Sequence, residues 1–237
     1  NRGRIKEELD DTAGALADYN RALLLDPNSA ETYRSRSIIK RKRKDLKGAL
    51  ADANRAIELA PDNHIFYLNR GLVREDLKDL QGALVDHDRA VQLAPSFAGA
   101  YFRRGSVRID LKEYRGAIAD YTRYIQLNAK NSGAFTYRGV AKEGLGDTPG
   151  AIADYEHAIA IDPDNEVAKE NLARLREEIA AAQTEAAPKQ IDVPTRTNPN
   201  PQSAETPDLS GSYDLVANGY PARLEITGTP GNYTGRV

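Results

Sequence analysis

Five aspartates and five pairs of cations recur in step along this chain, and they are the side chains whose types and spacing could do chemistry. The cations are Arg2, Arg36, Arg70, Arg104 and Arg138, each followed four residues later by Lys6, Lys40, Arg74, Arg108 or Lys142. The acids are Asp18, Asp52, Asp86, Asp120 and Asp154. Four residues is about one helical turn, so the two cations of each set share a helix face. One chemistry open to them is a cationic ladder that grips an acidic ligand. The other is an Arg–carboxylate pair closed inside each helical hairpin, with the second cation capping the carbonyl end of the first helix. Acid and base recur together, and a binding surface has no reason to repeat identically, so the second reading is preferred. Arg70 with Asp86, Arg104 with Asp120 and Arg138 with Asp154 are therefore expected as structural ion pairs.

Other chemistries lack their residues. There is no cysteine, which excludes disulfides, thiolate metal sites and a cysteine nucleophile. His64, His87 and His157 are far apart, and none sits in a His-x-x-x-His or His-x-Glu setting, so neither a metal nor another cofactor is expected. No nucleophile stands with its base, no glycine loop could cradle a phosphate, and no carboxylate pair is isolated from the repeat. Catalysis within the chain is not expected. Lys40 to Lys44 form the one dense basic run, but cations are favoured in the last turn of a helix, and Asp45, Glu75 and Asp76 would offset them. With a net charge of −2 overall, nucleic acid is a disfavoured partner. No run approaches the roughly 20 apolar residues that span a membrane.

The elements that must position these side chains follow from a period of 34. Prolines stand at 27, 61, 95 and 163, with Ala129 in the gap. A small residue recurs as Ala15, Ala49, Ala83, Ala117 and Ala151, and the aromatic four positions later is Tyr19, Tyr121 or Tyr155, replaced by Ala53 and His87 in two units. First helices carry Tyr33, Tyr67, Tyr101 and Phe135, followed by Gly71, Gly105 and Gly139, with Ser37 once in the glycine slot. Glycine and alanine at facing positions let two helix backbones approach closely.

This pattern resembles the tetratricopeptide repeat family over about residues 1–163, beginning inside a unit whose first helix is cut short at Asn1. The fold class expected is all-α: a right-handed α-solenoid of helix-turn-helix repeats. Helix pairs are placed at 30–43 and 46–59, 64–77 and 80–93, 98–111 and 114–127, and 132–145 and 148–161. Residues 165–183 read as a capping helix, with Ala168, Leu172, Leu175 and Ile179 as its apolar stripe. The array is thus assigned to 1–183. A Pro-rich linker follows at 184–207, and 208–237 opens an incomplete β domain of alternating strands around Asn218-Gly219 and Pro230-Gly231. Its first strands are similar to those of small lipocalin-like barrels.

The family resemblance implies that first helices line a concave surface that grips extended peptides. Projected onto this chain, the inward positions include Arg34, Ile38, Leu68, Asn69, Leu72, Phe102, Arg103, Ser106, Tyr137 and Val140. Leu68, Asn69, Leu72, Phe102 and Arg103 form the expected centre, because the middle of an array has walls on both sides. The lysine and asparagine set with which chaperone-binding relatives clamp a terminal carboxylate is missing. Leu68, Leu72 and Val140 equally suit packing between repeats. The function implied is a scaffold that binds a partner protein or peptide. Two alternatives are a targeting arm for an enzyme whose catalytic domain lies beyond Val237, and a scaffold that self-associates. Nothing indicates a compartment.

Overall fold

The computed structural model describes residues 11–186 and three strands within 211–236. Arg2, Lys6 and the first helix cut at Asn1 lie outside the described residues, as do most of the linker, the Asn218-Gly219 and Pro230-Gly231 turns and Val237. Two compact units separate between Ala187 and Pro188.

Among the described residues the first unit holds ten helices. α1 (Thr12–Leu25) is the second helix of the opening repeat. Four hairpins follow: α2 (Ala30–Lys42) with α3 (Leu46–Leu59), α4 (His64–Asp76) with α5 (Leu80–Leu93), α6 (Ala98–Asp110) with α7 (Tyr114–Leu127), and α8 (Ser132–Gly144) with α9 (Thr148–Ile161). α10 (Glu166–Ala186) closes the array. Second helices start where an aspartate can cap them. Asp11, Asp45, Asp79 and Asp147 each accept a hydrogen bond from the backbone N–H three residues on, at Gly14, Gly48, Gly82 and Gly150. Glu113 holds this slot in the fourth unit, and its longer side chain makes no such bond. First helices end on Lys44, Lys78 or Lys112 in the left-handed region (φ 63°, 65° and 61°), or on Gly146 at φ 80°. The following N–H then reaches back to the helix, as Asp45 N does to the Lys40 carbonyl at 2.9 Å, which satisfies a carbonyl that the helix end would orphan.

Packing repeats with the sequence. Ala15, Ala49, Ala83, Ala117 and Ala151 are fully buried, and so are Ile39, Val73, Val107 and Ala141 on the first helices. The close-approach glycines face the aromatic slot of their own hairpin: a Cβ on Gly71 would lie 2.4 Å from His87, one on Gly105 3.0 Å from Tyr121, and one on Gly139 2.6 Å from Tyr155. Where the slot holds Ala53, Ser37 fits instead. It donates to the Ala49 carbonyl at 2.9 Å and accepts from the Asn69 amide at 2.9 Å.

First helices of successive units touch in a row, α2 to α4, α4 to α6 and α6 to α8, as expected for the inner side of a curved stack. Ala168, Leu172 and Leu175 of α10 cover the last hairpin, while Ile179, beyond its edge, is 37% exposed.

The second unit is an antiparallel sheet of β1 (Gly211–Ala217), β2 (Tyr220–Thr229) and β3 (Asn232–Arg236), in that order. Tyr213 pairs with Leu224, Leu215 with Ala222, and Thr227 with Thr234.

Candidate functional site

Two sets of arginines define what the array can do. The first set is periodic. Each arginine grips the aspartate of its own hairpin: Arg36 Nη2 lies 2.6 Å from Asp52, Arg70 Nη2 2.6 Å from Asp86, and Arg138 Nη2 2.7 Å from Asp154, while Arg104 Nε donates to both oxygens of Asp120 at 3.1 and 3.0 Å. The second cation shares that carboxylate, with Lys40 at 2.8 Å from Asp52, Arg74 at 2.9 Å from Asp86, Arg108 at 2.6 Å from Asp120 and Lys142 at 2.8 Å from Asp154. This corrects the expectation that the second cation caps its own helix. It instead reaches across the hairpin to a carbonyl in the first turn of the second helix, for example Arg74 Nη1 to the Gly82 carbonyl at 2.9 Å. The buried carboxylate draws it there, because one guanidinium alone leaves lone pairs of the aspartate unmet.

The same arginines do something that no sequence offset was used to predict. The free arm of each one crosses to the preceding unit: Arg36 to Asn20 at 2.9 Å, Arg70 to Asn54 at 3.1 Å, Arg104 to Asp88 at 2.8 Å and Arg138 to Thr122 at 3.2 Å. These partners are themselves 34 residues apart and polar in every unit, which is the signal that would have found them. Each guanidinium also lies 5.3 to 5.7 Å from the ring of Tyr33, Tyr67, Tyr101 or Phe135. An arginine held on three sides is a staple between repeats and offers nothing to a ligand.

The second set breaks the period. Arg34 and Ile38 of α2, Leu68, Asn69 and Leu72 of α4, and Arg103 of α6 converge on a pocket of about 310 Å3 on the inner row. Arg41, Ile65, Phe97 and Gly99 complete its lining and were not anticipated. Leu68 is 9% exposed and also packs against Ala90 and Ala100, so it serves both roles open to it. Asn69 is buried and its amide is engaged by Ser37.

The remaining candidates sit elsewhere. Phe102 turns edge-on to Tyr121, Tyr124 and Tyr137, with centroids 5.2 to 5.6 Å apart, and Tyr137 remains 43% exposed above that cluster. Ser106 is half-buried on α6. Val140 packs against the last core cluster, around Phe135 and Tyr155.

Electrostatics on this side are simple. Arg34 meets Glu31 at 3.4 Å and Arg41 meets Asp76 at 3.5 Å, both long contacts near the surface. Arg103 is exposed and makes no ion pair among the described residues. The Nε–H groups of Arg34 and Arg41 have no acceptor among the described residues. Glu75, expected to offset the basic run, instead bonds buried His87 at 2.7 Å. Burial pushes the Tyr121 and Tyr155 phenols well above their ordinary range, with Glu143 adding to the effect at Tyr155. Both therefore stay protonated at neutral pH. Among the described residues no cluster of three potential metal ligands occurs, and no helix is long and apolar enough to cross a membrane.

Stacked hairpins that touch only their neighbours, with an inner row of first helices, define an α-solenoid of the helical-repeat class. Solved structures with this architecture include MamA, which is 23% identical with a TM-score of 0.64 over 70% of this chain and 97% of MamA. YrrB, a repeat protein with an unusual peptide-binding site, is 22% identical with a TM-score of 0.62 over 71% of this chain and 87% of its own. A tetratricopeptide repeat protein from Parabacteroides merdae is 20% identical with a TM-score of 0.67, over 78% of this chain and 74% of that one. At these identities the likeness is one of fold. Among curated proteins nothing matches significantly. The tetratricopeptide repeat family model matches residues 1–64, 38–100 and 102–166, and the chain belongs to that family.

Proposed function

We propose that this array is a protein–protein interaction scaffold that receives an extended segment of its partner at the pocket between α2, α4 and α6. The observation that carries this reading is the pocket itself, a concave site on the inner row whose floor is aliphatic and whose rim holds three arginines outside the repeat pattern. An extended peptide fits such a site because its alternate side chains point to opposite faces, so one row can enter the floor while the other meets the rim. Phe102 on α6 and Tyr137 on α8 would continue the track. Binding rather than catalysis is favoured because the buried carboxylates Asp52, Asp86, Asp120 and Asp154 recur every 34 residues, which the acids of an active site would not do.

Random peptides displayed on phage and selected on the full chain test the reading. Enrichment is expected, and Phe102→Ala combined with Arg103→Glu should abolish binding of the selected peptides while leaving helicity by circular dichroism unchanged. No enrichment, or equal binding to the double variant, would move the partner surface away from this groove.

A further inference from the structure

The pocket's chemistry specifies its ligand more narrowly than its shape does. In a repeat protein, the residues that hold units together recur, so a residue that departs from the pattern at a structural cost has some other use. Phe97 is such a residue. The slot 34 residues before it is Asn63 and the slots after it are Asn131 and Asn165, and each asparagine caps the helix that follows by accepting a backbone N–H. Phe97 stands at the N-cap of α6 and makes no side-chain cap. Giving up that bond destabilises the start of a helix. In exchange the site gains an apolar ring, 38% exposed, that leans on His64 at 5.0 Å and forms one wall of the pocket.

The arginines depart from the pattern in the same way. The slots of Arg34 hold Leu68, Phe102 and Thr136 in other units; those of Arg41 hold Glu75, Ile109 and Glu143; and those of Arg103 hold Ser35, Asn69 and Tyr137. Among the described residues, the three cations around the pocket are matched only by Glu31, 3.4 Å from Arg34, and Asp76, 3.5 Å from Arg41, and Arg103 makes no ion pair.

We infer that the pocket takes an extended acidic segment of a partner protein in which a large apolar residue is flanked by carboxylates. The apolar side chain seats on Ile38, Leu72 and Phe97, and the carboxylates are bridged by Arg34, Arg41 and Arg103. This rests on the interaction reading above and narrows it to one class of peptide. Guanidinium forks suit carboxylates in two-point contact, and the aliphatic floor selects against a bare polyanion, which would bring nothing apolar to bury. The volume of about 310 Å3 lies near the lower end of the roughly 300–1,000 Å3 of ligand pockets, in keeping with one or two anchoring side chains.

The probe is a fluorescent, end-capped octapeptide of sequence Asp-Leu-Glu-Phe-Asp-Leu-Glu-Ser, titrated against the full chain by anisotropy. Binding is expected to weaken about tenfold or more when every acid of the peptide becomes its amide, when its Leu and Phe become Ala, or when the protein carries Arg103→Glu. The amide peptide should bind Arg103→Glu as well as the acidic one does, which places the coupling at that arginine. Because Arg103 is exposed and makes no ion pair among the described residues, its variant should keep the wild-type unfolding midpoint, so lost binding would not be lost folding. The inference is overturned by equal affinity for the acidic and amide peptides, by an eight-residue oligothymidylate binding as tightly as the peptide, or by a dimer that Arg103→Glu dissolves. If phage selection yields groove-binding peptides without acids, this inference falls while the interaction reading stands.

Discussion

Arg104 and Arg103 are neighbours in sequence, yet they belong to different parts of the molecule. Arg104 is shared between Asp120 and Asp88 and lies beside Tyr101, and its equivalents at 36, 70 and 138 do the same in their own units. Arg103 lines the inner pocket with no ion-pair partner among the described residues, and no other unit repeats it. The contrast teaches how to read a repeat protein. Side chains that recur with the period hold unit to unit, because every junction has the same requirement, and side chains that break the period are released for something that happens once. A cation count along the sequence would merge the two sets. The period separates them.

The largest effect expected from breaking this contrast is at an aspartate of the staple. Asp120→Ala leaves Arg104 and Arg108 half-buried around a missing carboxylate, and should cost about 3–5 kcal/mol in urea unfolding. A cost near zero would mean that the periodic pairs are incidental. Next comes the glycine that admits the aromatic slot. Gly139→Ala puts a Cβ 2.6 Å from Tyr155 and should cost about 1–3 kcal/mol, and a double-mutant cycle with Tyr155→Ala should show that shortening the tyrosine relieves part of it. The smallest effect belongs to the aperiodic set. Arg34→Gln and Arg41→Gln should each stay within about 0.5 kcal/mol of wild type in the same assay, since their ion pairs are long and solvated. If either destabilises the array as much as Asp120→Ala does, the division between the two sets collapses.

Most of the fold was legible from the 34-residue spacing together with the family resemblance it carries. The helix pairs from 30 to 161 and the capping helix follow from recurring local patterns: proline and aspartate as punctuation, alanine and glycine as close-approach positions, apolar residues on one stripe. The junctions were less legible. The reach of Arg70 to Asn54 depends on how one unit rotates on the next, and a pattern within one unit does not encode that rotation. The pocket was half legible. Projecting one set of inward offsets onto every unit found Arg34, Ile38, Leu68, Asn69, Leu72 and Arg103, and missed Arg41, Ile65, Phe97 and Gly99. Phe97 and Gly99 belong to the approach to α6 and its first turn, where inward offsets of a helix do not apply, and Arg41 was absorbed into the basic run. Phe102 and Val140 also pack on neighbouring helices, Phe102 against Tyr121 and Val140 against the last core cluster, contacts that inward offsets alone do not encode.

The bond between Ser37 and Asn69 has a consequence for assembly of the chain. Units this similar are at risk of docking on the wrong neighbour while the polypeptide collapses, a characteristic hazard of repeat proteins. Ser37 is the only serine in its slot and Asn69 the only asparagine in its own among residues 30–163, so the amide finds its hydroxyl at one junction and at no other. Any swap of order would bury that amide without an acceptor, at a cost of about 1–3 kcal/mol. A single buried polar contact thus works as an address, telling the third unit which of its lookalikes comes before it.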